Sequence, residues 1–142
     1  VDYVSWIGKQ FKDIEDRREL YVEGMTRIML HERALLYRLL HGSDEVKGLL
    51  NIEGVKVAVD MDDLTERDLI VPIVFDKLTC EEASRAYEKK GVVVHERTDA
   101  SLYSARQVNS INLHGIVRIS PLHCHTYADI DEFLKITAEI AK

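Results

Sequence analysis

The sequence predicts an α+β fold, a small and mostly antiparallel sheet with helices packed on one face, preceded by two N-terminal helices. Three observations carry this expectation. From Gly54 onward the apolar residues form short runs that succeed one another in the order β-β-α-β-(α)-β-α. Ahead of them, apolar residues recur at helical spacing from Tyr3 to Phe11 and again from Asp16 to about Leu40. No repeat, low-complexity tract or flexible linker interrupts the order. Residues 1–142 therefore read as a single domain, long enough to bury roughly two-thirds of its unfolded surface.

Tyr3, Val4, Ile7 and Phe11 mark the first helix, with Trp6 on an adjoining position. Gly8 weakens it, and Lys9, Lys12 and Asp13 supply its wet face. The second helix carries apolar residues at Met25, Ile28, Met29, Leu35, Leu36, Leu39 and Leu40, with Glu32 near the same stripe and Gly42 as its stop. Gly24 costs that helix about 1 kcal/mol relative to Ala, which marks a bend or a close helix contact. Gly54 to Val59 then alternates as a half-buried strand should. Ile70 to Phe75 is the second strand, and Pro72, which lacks a donor, suggests an edge position or an irregular start. Between these strands Asp60, Asp62, Asp63, Glu66 and Asp68 form an acidic loop. It lacks the turn glycine of a calcium-binding EF-hand and reads as solvated.

Thr79 caps a third helix from Cys80 to Lys90. Glu81 and Glu82 sit in its first turn and Lys89 and Lys90 in its last, as the helix dipole favours, and Gly91 ends it. Val92, Val93 and Val94 start the next strand, which runs into His95, Glu96 and Arg97. A turn follows through Leu102, then a weakly helical stretch from Ser104 to Ile111. Ile116, Val117 and Ile119, bounded by Gly115 and Pro121, read as a short buried strand with Arg118 in its middle. Thr126 and Asp129 approximate a capping box for a last helix, whose apolar residues are Ile130, Phe133, Leu134, Thr137 and Ile140.

Composition narrows the function classes. No apolar run approaches the ~20 residues that span a bilayer, and no signal-peptide pattern opens the chain, so no membrane partner is expected. A net charge of -6 argues against a nucleic-acid surface, which needs a basic patch. Two cysteines, Cys80 and Cys124, are too few for a disulfide scaffold and fit a reducing cytoplasm. The chain starts at Val1, directly inside a helical pattern, and reads as a piece of something longer.

Phosphate-loop, dinucleotide and serine-hydrolase signatures are missing. His123-Cys124-His125 is the one metal-like triplet, but alternate residues of an extended segment point apart, so at most the two histidines could share an ion; no metal is expected. Cys80 lies in a helix's first turn, where a thiol pKa can fall; a buried structural role is the alternative. The arginines are more informative. Arg97 follows a valine-rich run and Arg118 lies inside a strand. An arginine on a sheet that faces a cleft is a bidentate clamp for a carboxylate or phosphate, and the alternative is an internal ion pair with one of the 25 acids.

The run from Val117 to Leu134, Val-Arg-Ile-Ser-Pro-Leu-His-Cys-His-Thr-Tyr-Ala-Asp-Ile-Asp-Glu-Phe-Leu, resembles the last motif of class V aminotransferases. These are fold-type I pyridoxal-phosphate enzymes that include cysteine desulfurases, selenocysteine lyases and isopenicillin N epimerase-like proteins. Arg97 with Ser101, Tyr103, Ser104 and Arg106 is similar to the same group's loop that overhangs the active site. Gly48-Leu49, Arg67, Pro72-Ile73-Val74, Gly91-Val92 and the helix holding Glu32 to Leu35 fall in the family's order. The resemblance implies that the chain is the C-terminal small domain of a longer enzyme and that Arg118 holds the substrate's α-carboxylate, with Arg97 as a secondary candidate. It also implies pyridoxal phosphate in the parent enzyme, a transferase or lyase that works on an amino acid as a homodimer.

Two departures qualify that picture. Cys124 and His125 stand where the family has Tyr and Asn, and the loop from Arg97 to Arg106 lacks the persulfide-forming cysteine of the desulfurases. The family's cofactor lysine, in a Ser-x-His-Lys context, belongs to its large domain. No lysine here has that context, so no cofactor-binding or catalytic residue is assigned to the fragment. The alternative reading is a stand-alone α+β interaction or regulatory module without catalysis.

Overall fold

A computed structural model describes residues 1–142. Helix α1 spans Asp2–Lys9 and α2 spans Arg17–His41, followed by β1 (Val55–Val57), β2 (Val71–Phe75), α3 (Cys80–Lys89), β3 (His95–Thr98), α4 (Ala105–Ser110), β4 (Gly115–Ile119) and α5 (Tyr127–Ile140). The four strands form one antiparallel sheet in the order β1-β2-β4-β3. The α+β class, the element order and the two leading helices are as the sequence predicts.

Local chemistry places the helix ends. Asp16 accepts the Glu19 N–H at 2.8 Å to start α2, and Gly42, at φ 75°, turns the chain out of it. Complete capping boxes open α3, through Thr79 and Glu82, and α5, through Thr126 and Asp129. Shortening Glu to Asp at the second box does not break it: the Thr126 N–H still donates to Asp129 Oδ2 at 2.7 Å.

Helices α1 and α2 meet through small residues, and the large aromatics of the first segment stay outside the contact. The buried residues of α1 are Ser5 and Gly8, while Trp6 is 60% exposed and Phe11, beyond the helix end, 54%. The reason is a backbone crossing too close for large side chains. A Cβ on Gly24 would stand 1.9 Å from the Val4 carbonyl oxygen, and one on Gly8 2.0 Å from that of Leu20. Gly24 is thus a contact glycine. Buried Glu23 fastens the pair, with Lys12 Nζ at 2.9 Å and Arg27 Nε at 2.7 Å. Those two cations, Lys12 foremost, hold its carboxyl below the usual range.

Only the C-terminal half of α2 reaches the main core. At about 1.5 Å per residue its 25 residues outrun the sheet, so Met25 and Met29 are exposed while Leu35, Leu36, Leu39 and Leu40 are buried. These leucines pack with Ala83 and Tyr87 of α3, Ile130 and Leu134 of α5, and Val71, Ile73 and Val117 of the sheet. Arg38 forks onto Asp131 with two 2.7 Å bonds, tying α2 to α5, and the Tyr87 hydroxyl meets Thr137 Oγ1 at 2.7 Å inside the core.

Two strand expectations need correction. For Pro72 the edge position fails, because β2 is flanked by β1 and β4, while the strand-start alternative fits, Pro72 being the second residue of β2. Its carbonyl accepts the Ala58 N–H at 2.9 Å, so its nitrogen also faces the β1 side, where the ladder ends at Val57; the missing donor leaves β4 unaffected. Val92 to Val94 do not begin the third strand, which is His95–Thr98. Val92 and Val94 lean on the core and Val93 is 81% exposed, so the valines are used for packing before ladder pairing starts. No helix is long and apolar enough to cross a membrane.

Candidate functional site: an arginine face on the sheet

Register sorts the sheet residues into two faces. Arg118 pairs with Pro72 on one side and His95 on the other, and Arg97 pairs with Ile116. Paired residues share a face and successive residues alternate. Arg118, Pro72, His95, Arg97 and Ile116 therefore point away from the helices that Val71, Ile73, Val117 and Ile119 meet. The sequence candidates Arg118 and Arg97 are brought to the same side.

Arg118 sits mid-strand and half-buried. Its Nε is buried without a hydrogen-bond partner, and the guanidinium enters no ion pair. Half-buried Arg97 gives Nη1 to its neighbour's carbonyl, Glu96 O, at 3.0 Å and is likewise free of carboxylates. A third arginine joins them from the β1–β2 connection. Arg67 donates from Nη1 to Val59 O at 3.0 Å and from Nη2 to Ile70 O at 3.4 Å. Burial pulls its pKa below the ordinary guanidinium value, and the nearby Asp60 opposes that shift without forming an ion pair.

All three arginines line one cavity of about 250 Å³, walled by α4 (Gln107, Ser110) and by the β1–β2 connection (Val59, Met61, Ile70). No carboxylate lines it. Arg118 also borders a larger cavity of about 570 Å³ beside His95 and His125, where Asp129 and Glu132 add negative charge. A guanidinium with a buried, unanswered donor beside a carboxylate-free space is suited to an anionic ligand.

The remaining candidates separate. His123 Nε2 lies 3.1 Å from the Tyr3 hydroxyl and its Nδ1 3.8 Å from Glu32, whereas His125 Nδ1 accepts the Leu122 N–H at 3.0 Å and locks its own turn. The two rings diverge, and no three ligand-type side chains converge as a metal ion requires. For Cys80 the structural reading holds, in a half-buried setting, and the low-pKa one does not. Its thiol is pushed up to about 11, first by burial and then by Glu81, to whose Oε2 it donates at 3.2 Å. Every lysine is exposed, and none lines the arginine cavity. The residues present therefore do not fit covalent anchoring of a pyridoxal cofactor, which needs a desolvated lysine in a pocket.

Arg67 falls in the family's order in the sequence but is not among the predicted site residues. Its surroundings in sequence are acidic, which suggests a solvated loop. The signal that could have found it is its place three residues before Ile70, where the incoming β2 strand must carry it past the sheet's open face.

No family model and no curated protein matches the chain. Among solved structures it resembles the apo cysteine desulfurase from Thermococcus onnurineus NA1, with a TM-score of 0.69 and 18% identity over 88% of this chain. At that identity the likeness is one of fold. The chain spans 28% of that protein's length.

Proposed function

We propose that this chain is the C-terminal small domain of a class V aminotransferase-like, pyridoxal-phosphate-dependent enzyme, and that Arg118 holds the α-carboxylate of its amino-acid substrate. The observation that carries the reading is the half-buried Arg118, whose Nε has no partner, on the open face of a fold that resembles part of a cysteine desulfurase. When bound, pyridoxal phosphate would supply the electron sink. Its lysine anchor would come from a large domain outside this chain, and assembly as a cytoplasmic homodimer belongs to the same reading.

What this chain contributes is orientation. Because Arg118 is fixed by a strand paired on both sides, its guanidinium direction is set by the sheet rather than by a mobile loop. A carboxylate forked onto it is held at a set angle, and with it the bonds at the substrate's Cα. The reading does not include sulfur transfer through a persulfide, since residues 97–106 carry no thiol.

The residues encoded ahead of Val1 provide the first test: a Ser-x-His-Lys motif supports the proposal, and a start codon at that point sinks it. In the protein that contains both parts, a partly desolvated charge-assisted fork contributes on the order of 2 to 4 kcal/mol. Arg118→Ala should then lower kcat/KM for α-amino acids roughly 30- to 1000-fold, with the fold intact. Lysine should rescue poorly, being a point charge without the fork, and amines lacking a carboxylate should be indifferent. Unfolding with no selective loss toward carboxylates would refute the clamp.

A further inference from the structure

We infer that the arginine face takes a substrate with a second anionic group, an amino acid whose side chain ends in an acid. Arg118 would hold one carboxylate, and Arg97 with Arg67 the other. This rests on the reading of Arg118 above and extends it to the substrate class.

Charge is the first reason. Three guanidinium groups, none of which can lose its proton at physiological pH, share a wall that contains no carboxylate. A single carboxylate on Arg118 would leave two like charges facing the same space. Two carboxylates leave one.

Donor count is the second. Arg67 uses Nη1 and Nη2 on backbone carbonyls and Arg97 uses Nη1 on another, while the Arg118 guanidinium makes no side-chain hydrogen bond and its terminal nitrogens are the donors left for a ligand. A carboxylate offers about four lone-pair sites, enough for a fork and one or two further bonds, so one anion does not serve all three guanidinium groups. The two carbonyls also hold the Arg67 guanidinium over the sheet and keep it from swinging out to water, so part of its ordering cost is met before any ligand arrives.

Size and polarity agree. A cavity of about 250 Å³ holds about eight waters at ~30 Å³ each, which suits a chain of a few carbons with an acid at its end. Ile70, Ile111 and Ile116 in its wall would meet the methylenes, and their low polarity strengthens the ionic contacts at either end.

The test uses this chain itself with side-chain NMR of its arginine Nε groups, titrated with acetate and with succinate at constant ionic strength. Two linked carboxylates bind as a chelate, so succinate is expected at least about 10-fold tighter than acetate, shifting the resonances of Arg118, Arg97 and Arg67 together. Arg97→Met should reduce succinate affinity to about that of acetate measured on the same variant, abolishing the chelate advantage. Arg97→Gln, which keeps a polar side chain on that edge strand, reads the same arm if the methionine variant does not fold. Equal affinities for the two acids at Arg118, insensitive to Arg97, would overturn the second site while the carboxylate clamp stands. Absence of any response at Arg118 would overturn the clamp and the inference with it. Sulfate binding as tightly as succinate would make the cluster a compact oxyanion site and overturn the two-carboxylate assignment.

Discussion

The two faces of this sheet are built from the same strands and obey different rules. Toward α2, α3 and α5, β2 and β4 present Val71, Ile73, Val117 and Ile119 to a closed apolar core. On that side Arg38 is paired with Asp131. One residue further along β4, Arg118 points to the opposite face with a buried donor that nothing answers. Arg38 shows what a structural arginine looks like here: a two-bond fork between helices. Arg118 has the burial of such a residue without the partner. A buried polar group left unsatisfied costs about 1–3 kcal/mol, so retaining one on a sheet that could carry another valine points to a role outside stability.

Truncations should separate the faces most sharply. Leu134→Ala removes a fully buried core side chain between α5 and the sheet, and should cost about 2–5 kcal/mol in chemical denaturation. Arg118→Met, one layer away, should not destabilise and should stabilise by up to about 1–3 kcal/mol, because it removes an unanswered polar group and keeps the stem's volume. If Arg118→Met destabilises as much as Leu134→Ala, the guanidinium has a structural partner and the contrast between the faces fails.

The next effect concerns the seam between α1 and α2. Gly24→Ala puts a methyl where the Val4 carbonyl already stands, an overpacking that costs about 1–3 kcal/mol. Since α1 packs on α2 and not on the sheet core, the loss should be local. Hydrogen exchange should quicken across residues 2–9 and stay slow in β2 and β4. A uniform quickening would mean that α1 belongs to the core's cooperative unit.

How far the sequence announced these differences depends on how local the signal was. Caps were legible because Thr79 with Glu82, and Thr126 with Asp129, act within one turn. The fork of Arg38 and Asp131 was not, since its partners lie 93 positions apart. Pro72 was legible as a defect in a strand, but its harmlessness at a central position depends on where the β1 ladder stops, which is a property of pairing. Val92 to Val94 misled because β-propensity marks residues that fit a half-buried extended surface whether or not a ladder forms. Arg118 stood out as a charge inside a β-branched run. Its company did not: Arg97 joins it through a strand register and Arg67 through a loop that reads as acidic and solvated.

A smaller effect probes the covered face alone. Tyr87 and Thr137 share a buried hydroxyl contact at 2.7 Å, and Thr137 Oγ1 also donates to the Phe133 carbonyl at 2.8 Å. Tyr87→Phe therefore leaves Thr137 with an acceptor and should cost only about 0.5–1.5 kcal/mol. A loss near that of Leu134→Ala would show that the hydroxyl organises the core packing as well as satisfying it.

Acid titration gives the finest distinction between Arg38 and Arg118. The Arg38 guanidinium, through its two hydrogen bonds, holds the Asp131 carboxyl below its ordinary pKa near 3.8, while burial pulls the other way. A carboxyl that is harder to protonate when folded stabilises the fold most once pH exceeds its unfolded value. That contribution is lost as pH falls from there through the depressed folded value. Asp131→Asn should therefore lower the melting temperature at pH 7, and the gap from the unmodified chain should close below about pH 3.8, within the acid limb. Arg118→Met should leave the shape of that limb unchanged, because no carboxylate is paired with Arg118 to be protonated. A melting profile in which Arg118→Met reproduces the acid-dependent change of Asp131→Asn would place a carboxylate against Arg118, and the open face would then be as structural as the covered one.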